Sequence, residues 1–132
     1  MILDTSFLLD LKDGDSDAFD KAVALYDAGV VQRVATPSVM ELQYGAAFVD
    51  SQEEQRRVRN LLQMYPLVPV DKQTALRAGE LLARADRQHG GDSGVDNPDA
   101  LIAATADRFG EPVLTANVDD FDRLPDVTVE TY

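Results

Sequence analysis

Met1-Ile2-Leu3-Asp4-Thr5-Ser6 opens the chain with an apolar run, a carboxylate and two hydroxyls. So short an apolar run predicts a buried strand, with Asp4 standing where the strand leaves its sheet. In an open α/β sheet, ligands bind at the carboxyl ends of the strands. The chain therefore begins by delivering an acid to the site edge of a sheet.

Outward from there, strands and helices alternate. Leu11-Lys12-Asp13-Gly14-Asp15-Ser16 reads as a turn, and Phe19, Ala22, Val23 and Tyr26 then fall on one helical face. Ala28-Gly29 ends that helix. Arg33-Val34-Ala35 reads as the second strand. Thr36 is expected to cap the next helix with Pro37 at its first position, and the helix should run to about Val49. Asp50-Ser51 restarts the chain into a helix with Val58, Leu61, Leu62 and Tyr65 on one face, stopped by Pro66. Leu67-Val68-Pro69-Val70 reads as a third strand near an edge, because of its proline. Asp71 should cap a long helix with Ala75, Ala78, Gly79 and Leu82 inward. After the loop His89-Gly90-Gly91-Asp92-Ser93-Gly94, Asn97-Pro98 opens another helix, which Gly110 ends. Val113-Leu114 and Val127-Thr128-Val129 read as the last strands. This alternation indicates an α/β fold with a mostly parallel sheet of four to five strands, covered on both faces.

Composition narrows the chemistry. The 132 residues fit one domain over 1–132, and 45% of them are hydrophobic, as in a globular chain. No cysteine is present, which removes disulfides, thiolate metal sites and cysteine nucleophiles. His89 is the only histidine, so a histidine-rich metal site is excluded. No apolar run reaches membrane-spanning length and no signal peptide is recognisable, so a cytoplasmic location without membrane attachment is expected. The net charge is −12, with lysine only at Lys12, Lys21 and Lys72. Scarce lysine with abundant aspartate suggests adaptation to a salt-rich cytoplasm, where screening tolerates dense like charge. It also argues against a conventional basic nucleic-acid patch.

Against that background, a few acids stand out by placement. Glu41 lies about one turn into the helix after the second strand, in line with Tyr44, Gly45 and Phe48. A capping box from Ser38 would explain Glu41, but Pro37 makes Thr36 the better cap and frees the carboxylate. If that stripe is buried, Glu41 needs a partner. Asp99 is in line with Ile102, Ala103, Ala106 and Phe109, so it should point over the sheet edge rather than serve only as charge at a helix N-terminus. Asp96, close by, reads as loop charge. Thr115-Ala116-Asn117-Val118-Asp119-Asp120-Phe121 follows the fourth strand, with Phe121 expected to anchor the turn. In a parallel sheet, Asp4, Glu41, Asp99 and Asn117 or Asp120 would converge on one edge. Carboxylate and amide oxygens suit Mg²⁺ or Mn²⁺, which keep waters and bridge to phosphate. One or two such ions support in-line displacement at phosphorus.

These residues resemble the motifs of the PIN domain family, and within it the VapC toxins. Ile2-Leu3-Asp4-Thr5-Ser6-Phe7-Leu8-Leu9 looks like the opening strand, and Pro37-Ser38-Val39-Met40-Glu41-Leu42 the second motif. Asp99-Ala100-Leu101-Ile102-Ala103-Ala104-Thr105-Ala106 resembles the third and is the most specific. Leu114-Thr115-Ala116-Asn117-Val118-Asp119-Asp120-Phe121 looks like the fourth. The motifs occur in order and span essentially the whole chain. The resemblance implies a three-layer α/β/α sandwich and a Mg²⁺- or Mn²⁺-dependent ribonuclease. It also implies the toxin half of a toxin–antitoxin pair: a homodimer inhibited by a VapB-type antitoxin. By position Asp4, Glu41 and Asp99 match the core acids. Asn117 stands where many relatives have Asp, which leaves the fourth role to Asp120, or else to Asp119. Ser6 and Thr115 match hydroxyl positions that hold the acids or water.

Other features weigh less. His89 reads as a surface loop residue, and Arg56, Arg57 and Arg59 as the solvated face of a helix rather than an RNA track. Leu8, Leu9 and Leu11 are either core or part of an antitoxin groove. Two competing functions remain: a PIN-type RNA-processing nuclease without an antitoxin, and a catalytically silent binding module.

Overall fold

The computed structural model describes residues 1–132. Five short strands carry the sheet: β1 Ile2–Leu3, β2 Val34–Ala35, β3 Leu67–Val68, β4 Val113–Leu114 and β5 Val129–Glu130. Seven helices cover it: α1 Thr5–Lys12, α2 Ser16–Asp27, α3 Thr36–Phe48, α4 Gln52–Leu62, α5 Lys72–Gln88, α6 Asn97–Phe109 and α7 Val118–Asp122.

All strand pairings are parallel. β1 pairs β4 with Ile2 opposite Val113, β4 pairs β5 with Val113 opposite Val129, and β2 pairs β3 with Val34 opposite Leu67. A bridge between Ile2 and Arg33 joins the two groups, closed by Arg33 N–H to Met1 C=O and Leu3 N–H to Arg33 C=O, each 2.9 Å. The order is therefore β3-β2-β1-β4-β5, with β1 central and the proline-bearing β3 at an edge.

Strand alternation divides the core between the two faces. Ile2, Ala35 and Val113 pack with Leu81, Ile102, Ala103 and Phe121 on the α5–α6–α7 side. Leu3, Val34 and Leu114 pack with Phe7, Leu25, Leu42 and Val58 on the α1–α4 side. The expected α/β/α sandwich is what forms.

Several local expectations are corrected. The strand resembling Ile2–Leu9 stops at Leu3, because Asp4 caps a helix: its side chain accepts from Ser6 N–H and α1 begins at Thr5. Ala35, not Thr36, is the N-cap of α3, without a side-chain bond; the Thr36 hydroxyl instead accepts from Val70 N–H at 3.2 Å. Asp96, not Asn97, caps α6. The α5 inward face is rotated to Thr74, Ala78, Leu81 and Ala85, leaving Ala75 and Gly79 exposed. On α2 the buried residues are Ala18 and Leu25, whereas Phe19 and Tyr26 are 59% and 79% exposed. The last strand begins two residues later than expected, at Val129.

Candidate functional site

The end of β1 fixes the first acid. Asp4 is 4% exposed, and its N–H still joins the sheet by donating to Leu114 C=O. Its Oδ2 accepts from Ser6 Oγ at 2.7 Å, from Thr115 Oγ1 at 2.8 Å and from Ser6 N–H at 3.4 Å. Oδ1 makes no hydrogen bond, so one carboxylate oxygen is locked and the other is left for a ligand. Ser6 Oγ also accepts from Ala116 N–H at 3.0 Å, and Thr115 Oγ1 from Asn117 N–H at 2.9 Å. The hydroxyls of Ser6 and Thr115 thus sew the β1 end to the segment after β4.

Glu41 arrives from the first turns of α3. Thr5 Oγ1 stands 2.8 Å from Glu41 Oε1 and 3.0 Å from Ser38 Oγ. Thr5 has one hydroxyl proton and a carboxylate only accepts, so that proton serves Glu41. Burial raises the Glu41 pKa; the Thr5 bond opposes this, and Asp4 and Asp96 add to it. Glu41 does have the partner that was expected, but not for the expected reason. Its stripe is not buried: Tyr44 and Phe48 are 68% and 76% exposed and stack on each other at 5.9 Å.

Asp99 is the third residue of α6, behind the Asp96 cap, whose Oδ1 accepts from Asp99 N–H at 3.0 Å. Burial, then the charges of Asp96, Asp4 and Asp120, push Asp99 up to about 8, and a hydrogen bond with Asp96 favours its protonated form. Ile102, Ala103 and Ala106 on its stripe are buried, while Phe109 at the far end is 45% exposed.

The last acid rides on α7. A five-residue helix is too short to persist alone. Phe121 is fully buried, a contribution of about 3 kcal/mol that holds the helix against the core. Burial raises the Asp120 pKa, followed by Asp4, Asp96 and Asp119, while Arg123 lowers it.

The structure therefore gathers Asp4, Glu41, Asp99 and Asp120. Asp119 and Asn117 line a shallow surface depression with Asp120. Asp119 touches the cluster electrostatically only through Asp120, and Asn117 contributes backbone turns around Thr115 and Asp120. Asp96 is the member that sequence reading set aside as loop charge. Its place three residues before Asp99 was the available signal, because a cap must sit beside the N–H it satisfies.

None of these five acids is ion-paired to a lysine or arginine. No three acidic side chains stand in ligating geometry around one ion position. The donor chemistry nevertheless fits a hard divalent cation: all ligand atoms are oxygen, Asp4 keeps Oδ1 free, and Arg123, which bears on Asp120 without pairing to it, is the one cation named against the mutual repulsion. His89 lies apart, its Nδ1 2.7 Å from Ala85 C=O.

A sequence profile described as "PIN domain" matches residues 1–127, and the chain belongs to the PIN domain family. No curated protein sequence matches it. Its fold is similar to VapBC2 from Rickettsia felis bound to a promoter DNA fragment, with a TM-score of 0.85, 21% identity, and 99% and 97% of the two chains covered. It is similar to DNA-bound VapBC from Salmonella typhimurium, with a TM-score of 0.82, 24% identity, and 98% and 96% covered. VapBC-5 from Mycobacterium tuberculosis, a member of a toxin–antitoxin family, matches with a TM-score of 0.64, 25% identity, and 98% and 94% covered.

Proposed function

We propose that this chain is a metal-dependent endoribonuclease, the toxin of a VapBC-like toxin–antitoxin pair, using Mg²⁺ or Mn²⁺ to hydrolyse RNA phosphodiester bonds. The observation that carries this reading is the cluster of Asp4, Glu41, Asp99 and Asp120: buried enough to raise three of their pKa values, yet without one paired cation. Like charges are not concentrated this way for stability; they await a positive ligand. Asp4, Glu41, Asp99 and Asp120 would hold the ion. When bound, the ion supplies an activated water and charge stabilisation for in-line displacement at phosphorus. The protein's part is alignment. Ser6 and Thr115 fix the Asp4 rotamer, Thr5 orients Glu41, and Phe121 holds Asp120 at the rim.

The partner follows from the matched VapBC complexes: a VapB-type antitoxin. An apolar groove lined by Leu11, Phe19, Ala22, Val23, Tyr26 and Met64 supports it, since Phe19, Val23, Tyr26 and Met64 are large apolar side chains left exposed there. Leu9 is exposed, whereas Leu8 is core. A homodimer and a cytoplasmic location belong to the same reading; no helix is long and apolar enough to cross a membrane. The charge of −12 fits a salt-rich cytoplasm.

Cleavage of total cellular RNA with Mg²⁺, and again with EDTA, tests the proposal. Cleavage confined to the Mg²⁺ arm supports it. Intact RNA in both arms, together with no heat of Mg²⁺ binding by calorimetry, would leave the silent binding module in its place.

A further inference from the structure

We propose that Arg123 is the side chain through which this protein grips a phosphate of its substrate at the rim of the carboxylate site. The inference rests on the ribonuclease reading above.

Arg123 is the C-cap of α7, three residues beyond Asp120, so the two side chains stand side by side. It is exposed and has no carboxylate partner. Arg33, Arg57, Arg77, Arg84 and Arg108, by contrast, are all ion-paired. Arg56, Arg59, Lys72 and Arg87 are also unpaired, but they stand on α4 and α5, which contribute no acid to the site.

The resting place of Arg123 is built. Nη1 donates to Ser93 C=O at 2.6 Å. Ser93 is itself immobilised, its N–H and Oγ–H both donating to Asp86 Oδ1 at 2.9 and 2.6 Å. The guanidinium passes over Gly94 (φ +77°), where a Cβ would lie 3.1 Å from Nη1. One N–H of the fork is spent on orientation. The remaining donors are free, and a guanidinium so presented matches two phosphate oxygens. In a chain of −12 with no cation track, one pre-oriented arginine beside the reaction site gives an approaching polyanion its local foothold.

The test is binding of a labelled single-stranded RNA, by fluorescence anisotropy across KCl concentrations, in the Glu41→Gln background where cleavage is silenced. Adding R123Q is expected to weaken binding about tenfold or more. It should also make the slope of log affinity against log salt about 0.7 more positive, the loss of one phosphate contact on a single strand. R123K, which keeps the charge but not the fork, should keep the slope and lose part of the affinity. Melting temperature should stay unchanged, and Mn²⁺ affinity measured without RNA in the Glu41-containing protein should not fall, since removing a cation beside Asp120 favours a bound cation. Unchanged RNA affinity and slope in R123Q would overturn the proposal. So would a loss of RNA affinity matched by an equal loss of Mn²⁺ affinity, which would make Arg123 only a spacer between α7 and the segment before α6. If R123Q melts lower than its parent, R123K decides the matter, and a changed slope in R123K counts against a phosphate contact. No RNA binding by the parent itself would instead sink the ribonuclease reading.

Discussion

Two regions of this molecule use aspartate in opposite ways. Along α5 and the turn before β5, the carboxylates are satisfied. Asp71 accepts from Thr74 and Arg108, Asp86 from Ser93, and Asp126 from Arg84 and Arg77, and each is held below the ordinary carboxylate range. At the sheet edge, Asp99, Asp120 and Glu41 are partly buried, share the charges of Asp4 and Asp96, and are pushed upward. Both groups are carboxylates; what differs is whether hydrogen-bond donors and positive charge within the protein outweigh burial and like charge. One group is complete in itself, and the other is complete only with a ligand.

The largest effects should come from removing a site acid. Asp4→Asn, Glu41→Gln and Asp99→Asn should each lower cleavage more than about 100-fold, beyond the cost usual for an outer partner of a metal ligand. Circular dichroism should show a native fold, because Asn still caps α1 at position 4 and each change relieves repulsion. Wild-type rates at saturating Mg²⁺ in any one of them would remove that residue from the ligand set.

Next should come the hydroxyls that lock Asp4. Ser6→Ala and Thr115→Val should each cost about 10- to 100-fold in activity or in Mn²⁺ affinity. Full activity in both would mean that the Oδ2 bonds do no more than cap α1.

Asp120→Asn should cost about tenfold or more, and Asp119→Asn should stay near wild type, since Asp119 reaches the cluster only through its neighbour. Equal rates in both variants would leave the fourth ligand unassigned.

The comparison also has a pH signature. Without divalent metal, Asp99 keeps its proton in the folded chain up to about 8, against an ordinary 3.8 when unfolded. Between those values the folded state binds more protons, so the stabilisation is full below about pH 4 and is lost as pH rises towards 8. Glu41 and Asp120, shifted the same way, add to this trend. The lowered acids Asp71, Asp86 and Asp126 act in the opposite sense, losing stability as pH falls through the acid range. Urea melts in EDTA from pH 5 to 8 should therefore show falling stability, flattened in Asp99→Asn. A flat wild-type profile would mean that Asp99 is not held protonated.

The smallest effect belongs to the satisfied region. Arg77→Gln breaks contacts to Asp107, Glu80 and Asp126, all partly or largely exposed. It should shift stability by no more than about 1 kcal/mol and leave cleavage unchanged. A catalytic defect there would join the two regions after all.

Much of this arrangement was legible in the sequence. Asp4 after a two-residue strand, Glu41 behind Pro37 and the Asp99 stripe on an alanine-rich helix all rest on local rules, and the sheet edge follows from parallel alternation. What sequence could not supply was the identity of the covered faces. Phe19, Val23 and Tyr26 on α2, and Tyr44 and Phe48 on α3, have the spacing of core stripes yet are exposed. Periodicity reports that a face is apolar, not what covers it. Asp96 escaped because its two roles, cap and cluster member, look like neither from the sequence: a cap is defined by where the helix starts, and Pro98 is compatible with more than one start.

The central place of β1 governs when the site comes into being. Its acid is gripped by Thr115, 111 residues away, and the β1–β4 pairing on which that grip depends needs Val113 and Leu114. The other buried residues of the α1–α4 layer, from Met1 to Leu61, precede Leu114 in the chain and can pack before it is added. A chain emerging residue by residue cannot lock the Asp4 carboxylate until Thr115 has been added. Whatever chemistry the acids perform is thus withheld from a nascent chain that has not yet reached Thr115.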